Sequence, residues 1–208
     1  LQEVRRLNAV VGSVLEMGEA TPPAFEDCSL HEIVRGSLEL MEPEFRRSGL
    51  TVDWRPNAVI DRVLADPGRI RSVLLNLYVN ALDAQPSGGA LRLTSSVVLE
   101  MNGPALRLIV QDSGPGISAA DRGRIFRPFF TTKPGGSGIG LAMSREAMRA
   151  HGGDLEFDQD SAPGSGAAFR LVLPMAPSAM EGFDRDWLAD SPMPVRRFER
   201  PNLKIATG

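Results

Sequence analysis

Three short pieces between Arg71 and Leu141 carry the residue types that could do chemistry in this chain, in an order that nucleotide binding explains. The first, Asn76-Leu-Tyr-Val-Asn80-Ala-Leu-Asp83-Ala84, reads as a helix. Ile70, Val73, Leu74, Leu77 and Leu82 keep one side apolar, while Asn76, Asn80 and Asp83 fall together at i, i+4 and i+7. Two amides and a carboxylate therefore share one ridge. The second, Asp112-Ser-Gly114-Pro-Gly116-Ile117, follows the apolar run Leu106 to Val110, so Asp112 lies where a strand enters a turn that only glycines make tightly. The third, Gly135-Gly136-Ser137-Gly138-Ile139-Gly140-Leu141, opens another helix, whose free N–H groups favour an anion such as phosphate.

The elements around these pieces must hold them together. Gln2 to Gly18 reads as a helix with Val4, Leu7, Val11 and Val14 at alternating steps of three and four, the seam of a coiled coil or bundle, too short to stand without a partner. Gly18 and Thr21-Pro22-Pro23 stop it. A second helix spans Leu30 to Ser48, capped by Ser29 with Glu32 three residues on, and its apolar face is Leu30, Ile33, Val34, Leu38, Leu40 and Met41. Leu50 to Trp54 alternate as a strand with Val59 to Leu64 as its partner, and Pro67 starts the Asn-bearing helix. Ala90 to Glu100 and Leu106 to Gln111 read as strands joined by Asn102-Gly103.

The Gly- and Pro-punctuated stretch from Asp112 to Ser137, with a short helical piece near Ala119 to Arg124, is a loop of a length seldom idle in a compact domain. A helix from Gly138 to Ala150 closes on His151-Gly152-Gly153, with His151 as its C-terminal cap. Strands Leu155 to Gln159 and Ala167 to Leu173 flank the turn Pro163-Gly164-Ser165-Gly166. Beyond Pro174 no period is sustained, and the segment reads as linker or docking tail.

With 208 residues the chain allows one ample domain plus extensions, and a start at Leu1 suggests a piece of a longer protein. A hydrophobic content of 42% suffices for a real core, and the net charge of −3 argues against a nucleic-acid or anionic-membrane surface. Cys28 is alone, which excludes a disulfide frame and a thiolate metal cluster and makes a reducing compartment the default. No apolar run approaches the ~20 residues of a membrane span, and no signal segment is visible. The expectation is a soluble, cytoplasmic piece. Only Lys133 and Lys204 are lysine among 23 basic residues, which draws attention to Lys133.

Asn76-x3-Asn80-Ala81, Asp112-x-Gly114-x-Gly116, Ile125-Phe126-Arg127-Pro128-Phe129-Phe130-Thr131-Thr132-Lys133 and Gly136-Ser137-Gly138-Ile139-Gly140-Leu141 resemble the N, G1, F and G2 boxes of bacterial sensor histidine kinases, nearest to the nitrogen-regulation branch. Singly, a G-x-G after a strand is usually a turn and an Asn pair a solvated face. Jointly and in order, with 32 residues from Asn80 to Asp112 and 24 from there to Gly136, coincidence is a poor account. The resemblance implies an α+β, two-layer sandwich of the Bergerat type, a mixed and mostly antiparallel sheet of about five strands covered on one face by about three helices. It divides the chain into a dimerisation helix at 1–18, a linker at 19–28, an ATP-binding domain at 29–174 and a tail at 175–208.

The same resemblance implies ATP and Mg²⁺ as ligands. Asp112 would accept from the adenine amino group, with Gly114, Gly116 and Ile117 letting the backbone approach the base. Asn80 would offer a neutral oxygen to Mg²⁺, which keeps phosphate and water in most of its octahedron. Asn76 would reach the phosphates; Lys133, with Thr131 and Thr132, would close over the γ-phosphate, and Gly136, Ser137, Gly138, Ile139, Gly140 and Leu141 would present N–H donors. Phe126, Phe129 and Phe130 would seat that lid, each read singly as core as readily as contact. Lys133 as plain lid surface remains the bland alternative.

Two departures from the family stand out. Asp83, which the resemblance counts with Asn76 and Asn80 among the nucleotide-binding residues, occupies a position where many members carry lysine, so phosphate charge falls on Lys133 and Arg127. The acceptor histidine is also missing: His31-Glu32 mimics the acceptor box but reads as part of a surface helix, and Gln2 to Gly18 resembles only the second dimerisation helix. The expected function is γ-phosphoryl transfer from Mg·ATP to a histidine on absent dimerisation helices, for relay to a response regulator receiver domain, with homodimerisation through the N-terminal helix. A non-catalytic nucleotide-binding module and an ATPase of the same superfamily are the alternatives. The ATPases place a glutamate at Asn76, and an amide there favours the kinase.

Overall fold

Alternation along the strands decides which face of the sheet holds the core. Leu91 and Leu93, then Leu106, Leu108 and Val110, then Phe169, Leu171 and Leu173 are all buried on one side, with Arg92, Arg107 and Arg170 between them on the other. The computed structural model describes residues 23–100, 103–158 and 166–180. The expected helix at 2–18, Asn102, the turn residues 163–165 and the tail beyond 180 lie outside these.

In chain order the elements are β1 (Glu26–Ser29), α1 (Leu30–Ser48), β2 (Leu50–Arg55), β3 (Arg62–Ala65), α2 (Pro67–Ala84), β4 (Gly89–Glu100), β5 (Gly103–Asp112), α3 (Gly140–Ala150), β6 (Asp154–Phe157), β7 (Ala168–Pro174) and α4 (Pro177–Met180). Five strands form one sheet in the order β2-β4-β5-β7-β6, in which β2 runs parallel to β4 and every other pair is antiparallel. Ile33, Val34 and Phe45 of α1, Ile70, Leu74, Leu77 and Tyr78 of α2 and Met148 of α3 join the buried sheet residues in one core. This is the expected two-layer α+β arrangement. The caps follow the sequence: Ser29 accepts from the Glu32 N–H at 3.0 Å, Asp66 caps α2 through the Arg69 N–H at 3.1 Å, and Gly49 ends α1 at φ +70°.

Several expectations change. Leu50–Arg55 does not pair with the following strand; it joins β4 in parallel, through the crossover that α2 supplies. β3 instead pairs with β1, so the expected linker at 19–28 contains a strand. The carbonyl of Asp61 accepts from the Leu30 N–H at 2.9 Å and its carboxylate from the Ser29 hydroxyl, which draws this segment to the head of α1 rather than to β2. Leu40 is 61% exposed, and Phe45 takes the core position one turn further on. The piece near Ala119 to Arg124 is a series of turns, and α3 starts at Gly140 rather than Gly138. Packing also continues past Pro174, because Met175 bridges to Val63 and Ala176 is fully buried.

His31 is not a surface residue. Its Nε2 lies 2.8 Å from Ser95 Oγ, its ring meets Trp54 edge-on, and burial lowers its pKa against the pull of Asp61. His151 caps α3 as a neutral ring, not as a cation on the helix end. Its Nδ1 lies 2.6 Å from the Ala147 carbonyl, which only an N–H can satisfy, so Nε2 is the acceptor for the Asp66 N–H at 3.0 Å. The ring thereby ties the end of α3 to the start of α2.

Candidate functional site

Asp112 closes β5 in the same parity as Leu108 and Val110, so the alternation that builds the core turns its carboxylate toward the helices. It is 7% exposed, and its Oδ1 accepts from the Gly114 N–H at 2.8 Å and the Ala167 N–H at 3.1 Å. Burial raises its pKa; those two N–H groups and the charge of Lys133 pull it down in part. Oδ2 is left as the oxygen for an outside donor. Space at Gly114 is tight, since a Cβ would stand 3.0 Å from Asp112 Oδ1 and 3.1 Å from the Ala84 Cβ. Gly116 has φ +78°, and a Cβ there would stand 3.0 Å from the Gly166 carbonyl oxygen.

The ridge of α2 has separate tasks along its length. Asn76 donates from Nδ2 to Ser144 Oγ at 3.0 Å, and its Oδ1 occupies the space a side chain at Gly140 would need. It therefore joins α2 to the start of α3. Asn80 Oδ1 and Asp83 Oδ2 receive the Lys133 ammonium at 2.8 and 2.9 Å. The Asn80 oxygen thus accepts from a cationic group. Among the described residues no group of three or more His, Cys, Asp or Glu side chains could hold a metal.

The lid runs from Ser118 to Ile139. Phe126 meets Phe169 edge-on and carries Arg145 at 4.8 Å, and Phe130 carries Arg124 at 4.3 Å, so these two rings seat the lid as expected. Phe129 does not: it is 74% exposed and has φ +66°. Gly138 explains the need, since a Cβ there would lie 2.5 Å from the Phe129 carbonyl carbon. Thr131 packs on Gly136, where a Cβ would come within 2.5 Å of Oγ1, and its Oγ1 accepts from the Lys133 N–H. Thr132, Ser137 and Arg127 are exposed. Ile117 and Leu141 are half-buried against the core, and Ile139 is 8% exposed. The start of α3 has no side-chain cap, leaving the N–H groups of its first turn to an anion.

Four residues outside the sequence reading complete the site. Ser144 holds Asn76; Ala167 holds Asp112; Gly166 lies where any side chain would strike the Asp112 carbonyl. Gln85, 4% exposed, accepts from the Ala90 N–H, the Ser113 N–H and the Ser113 hydroxyl, locking the end of α2 to the turn after Asp112. Gly166-Ala167 before the last strand was the visible signal; Ser144 and Gln85 gave none.

Residues 65–177 match the family model described as histidine kinase-, DNA gyrase B-, and HSP90-like ATPase. The sensor histidine kinase ZraS of Klebsiella oxytoca is 34% identical over 174 residues, which cover 84% of this chain and 37% of ZraS. The chain thus spans little more than a third of that curated relative's length. The solved catalytic domain of histidine kinase ThkA, at 30% identity and TM-score 0.64, covers 74% of this chain and is itself 98% covered. ThkA solved in complex with the response regulator protein TrrA aligns over 85% of this chain and 49% of that one, at 29% identity and TM-score 0.69. Full-length ShkA in complex with AMPPNP aligns over 84% and 36%, at 28% identity and TM-score 0.68.

Proposed function

The chain belongs to the histidine kinase-, DNA gyrase B-, and HSP90-like ATPase family as an ATP-binding histidine kinase catalytic domain, and from that premise we propose how its residues divide the work. The base lies against Asp112, the triphosphate runs along α2 toward the start of α3, and the γ-phosphoryl passes to a histidine on a longer form of the protein. One observation carries the assignment. Asp112 is a buried carboxylate with one oxygen committed to two backbone N–H groups and the other left for an amino donor. Adenine supplies that donor; guanine, with a carbonyl there, does not.

Asn80 would hold Mg²⁺, which when bound neutralises phosphate charge and orients the triphosphate. Asn76 and Ser144 fix the distance between α2 and α3, the uncapped first turn of α3 receives phosphate oxygens, and Lys133 reaches the γ-phosphate. Hydrolysis is disfavoured, because a general base contributes about 10²–10⁴-fold and the Asn76 amide cannot act as one. The remaining acid on that ridge, Asp83, is paired with Lys133.

Partners follow from the chemistry: dimerisation helices that present the histidine, in a homodimer through residues 1–18, and a receiver domain that takes the phosphoryl group. The domain works in the cytoplasm, where ATP is. Among the described residues no helix is long and apolar enough to cross a membrane.

Calorimetry with Mg·AMPPNP tests the binding half, with heat expected from wild type and none from Asp112→Ala. Equal heat from the two would remove the assignment. Dimerisation helices added in trans should gain acid-labile phosphate on histidine. Free phosphate released without an acceptor would make the chain a hydrolase, and neither product would make it a binding module.

A further inference from the structure

Lys133 stands 53 and 50 residues along the chain from the two side chains that hold it, Asn80 and Asp83. Those two are three residues apart on α2, so their oxygens share the last turn of the helix, and one cation answers both. A neutral amide oxygen alone would hold a 39%-exposed ammonium poorly against water; the Asp83 carboxylate at 2.9 Å supplies the charge. The ammonium also acts electrostatically on Asp112. Within the segment the Lys133 N–H bonds to Thr131 Oγ1 and the Gly136 N–H to the Lys133 carbonyl. The Lys133 side chain carries this turn across to α2.

Resting on the ATP reading above, we propose that Asp83 is a positioning residue that keeps the Lys133 ammonium on Asn80 in the nucleotide-free protein. It thereby latches the lid across α2, and Mg²⁺ has to displace that ammonium from Asn80 when Mg·ATP binds. The displaced lysine is then free to turn to the phosphates. Asp83 is 51% exposed, so water screens the pair and the latch opens readily. Asp83 in this role acts through Lys133 and touches neither nucleotide nor metal.

Amide hydrogen exchange of residues 130–138 in the nucleotide-free protein tests the latch, with wild type, Asp83→Asn, Lys133→Met and the exchanged pair D83K/K133D compared. Both single variants are expected to speed lid exchange by about fivefold, the upper range for an exposed charged pair, and the exchanged pair to restore protection. Exchange of β4 and β5 stays unchanged if the fold is intact, as the exposure of both side chains leads one to expect.

Calorimetry with Mg·AMPPNP tests the competition: Asp83→Asn should tighten binding by up to about fivefold, because it removes the resident cation's anchor. Lid exchange equal to wild type in Asp83→Asn would overturn the latch. Weaker binding by that variant would overturn the competition and make Asp83 a direct ligand. Should wild type give no heat, the ATP reading and the competition fail together, while the exchange arm, run without nucleotide, still decides the latch.

Discussion

Gly114 and Ala167 hold Asp112 through one oxygen, yet burial still raises its pKa, so at neutral pH the folded protein keeps a carboxylate in surroundings that disfavour its charge. A raised folded pKa means that this group adds stability below its ordinary value of 3.8 and loses it as pH rises through the folded value. Asp112→Asn removes that charge. Its amide oxygen can still accept from Gly114 and Ala167, so the melting temperature at pH 8 should rise. The same oxygen is then committed, and the NH₂ group turns toward the adenine amino group, donor against donor. Nucleotide binding should weaken by about 10- to 100-fold, the effect of a buried donor left unmet. Scanning calorimetry and titration on one preparation check both signs, and a variant that melts lower or binds as wild type does would contradict them.

The start of α3 shows how one element depends on another for its chemistry. Gly140 leaves the space that the Asn76 amide fills, and the Asn76 to Ser144 bond holds the uncapped helix start against α2. Gly140→Ala keeps a good helix former at the first position of α3, so the helix itself survives. Its methyl group displaces Asn76 and breaks the bond to Ser144. The expected result is nucleotide binding about fivefold weaker, the contribution of about one hydrogen bond, with little change in helix content by circular dichroism. Asn76→Ala in the same background should then add little, because the two changes act on one contact.

Stability of the whole molecule against acid rests first on two neutral histidines. Burial is the main cause that lowers the pKa of both His31 and His151 from 6.5, with Arg35 and Arg69 adding to it and Asp61 and Asp66 opposing. A lowered folded pKa means that the unfolded chain takes up the proton first, so their contribution is full above pH 6.5 and is lost as pH falls through the folded values. The melting temperature should therefore drop between pH 7 and 5, and His151→Gln should flatten that drop while lowering stability at pH 7 by about 1–3 kcal/mol through the Asp66 and Ala147 groups it leaves. Asp154, whose burial is outweighed by the Arg145 fork at 2.8 and 2.9 Å, contributes with the cap Asp66 to a second fall below pH 4.

The body also needs residues past its last long strand. Met175 and Ala176 are buried beside β3 and Ser178 bonds to Asp27, so a chain ending at Pro174 should melt lower than one ending at Met180 by about 1–3 kcal/mol of lost burial. Chemical denaturation of the two chains measures the difference.

What the sequence determined by itself was everything a short window encodes. The i, i+4 spacing of Asn76 and Asn80, the strand end at Asp112, the cap at Ser29 and the helix start at Pro67 follow from local periodicity and backbone preference, so the site's parts could be named. What only the tertiary structure decided were choices between distant partners. A strand's alternation says that it has a buried face but not which neighbour it joins, so β2 was assigned to the segment after it, although a crossover carries it parallel to β4. Likewise no pattern within Thr131 to Gly136 announces that Lys133 rests on Asn80 and Asp83, nor does Ser144 announce Asn76, because these contacts form only when the core brings separate helices together.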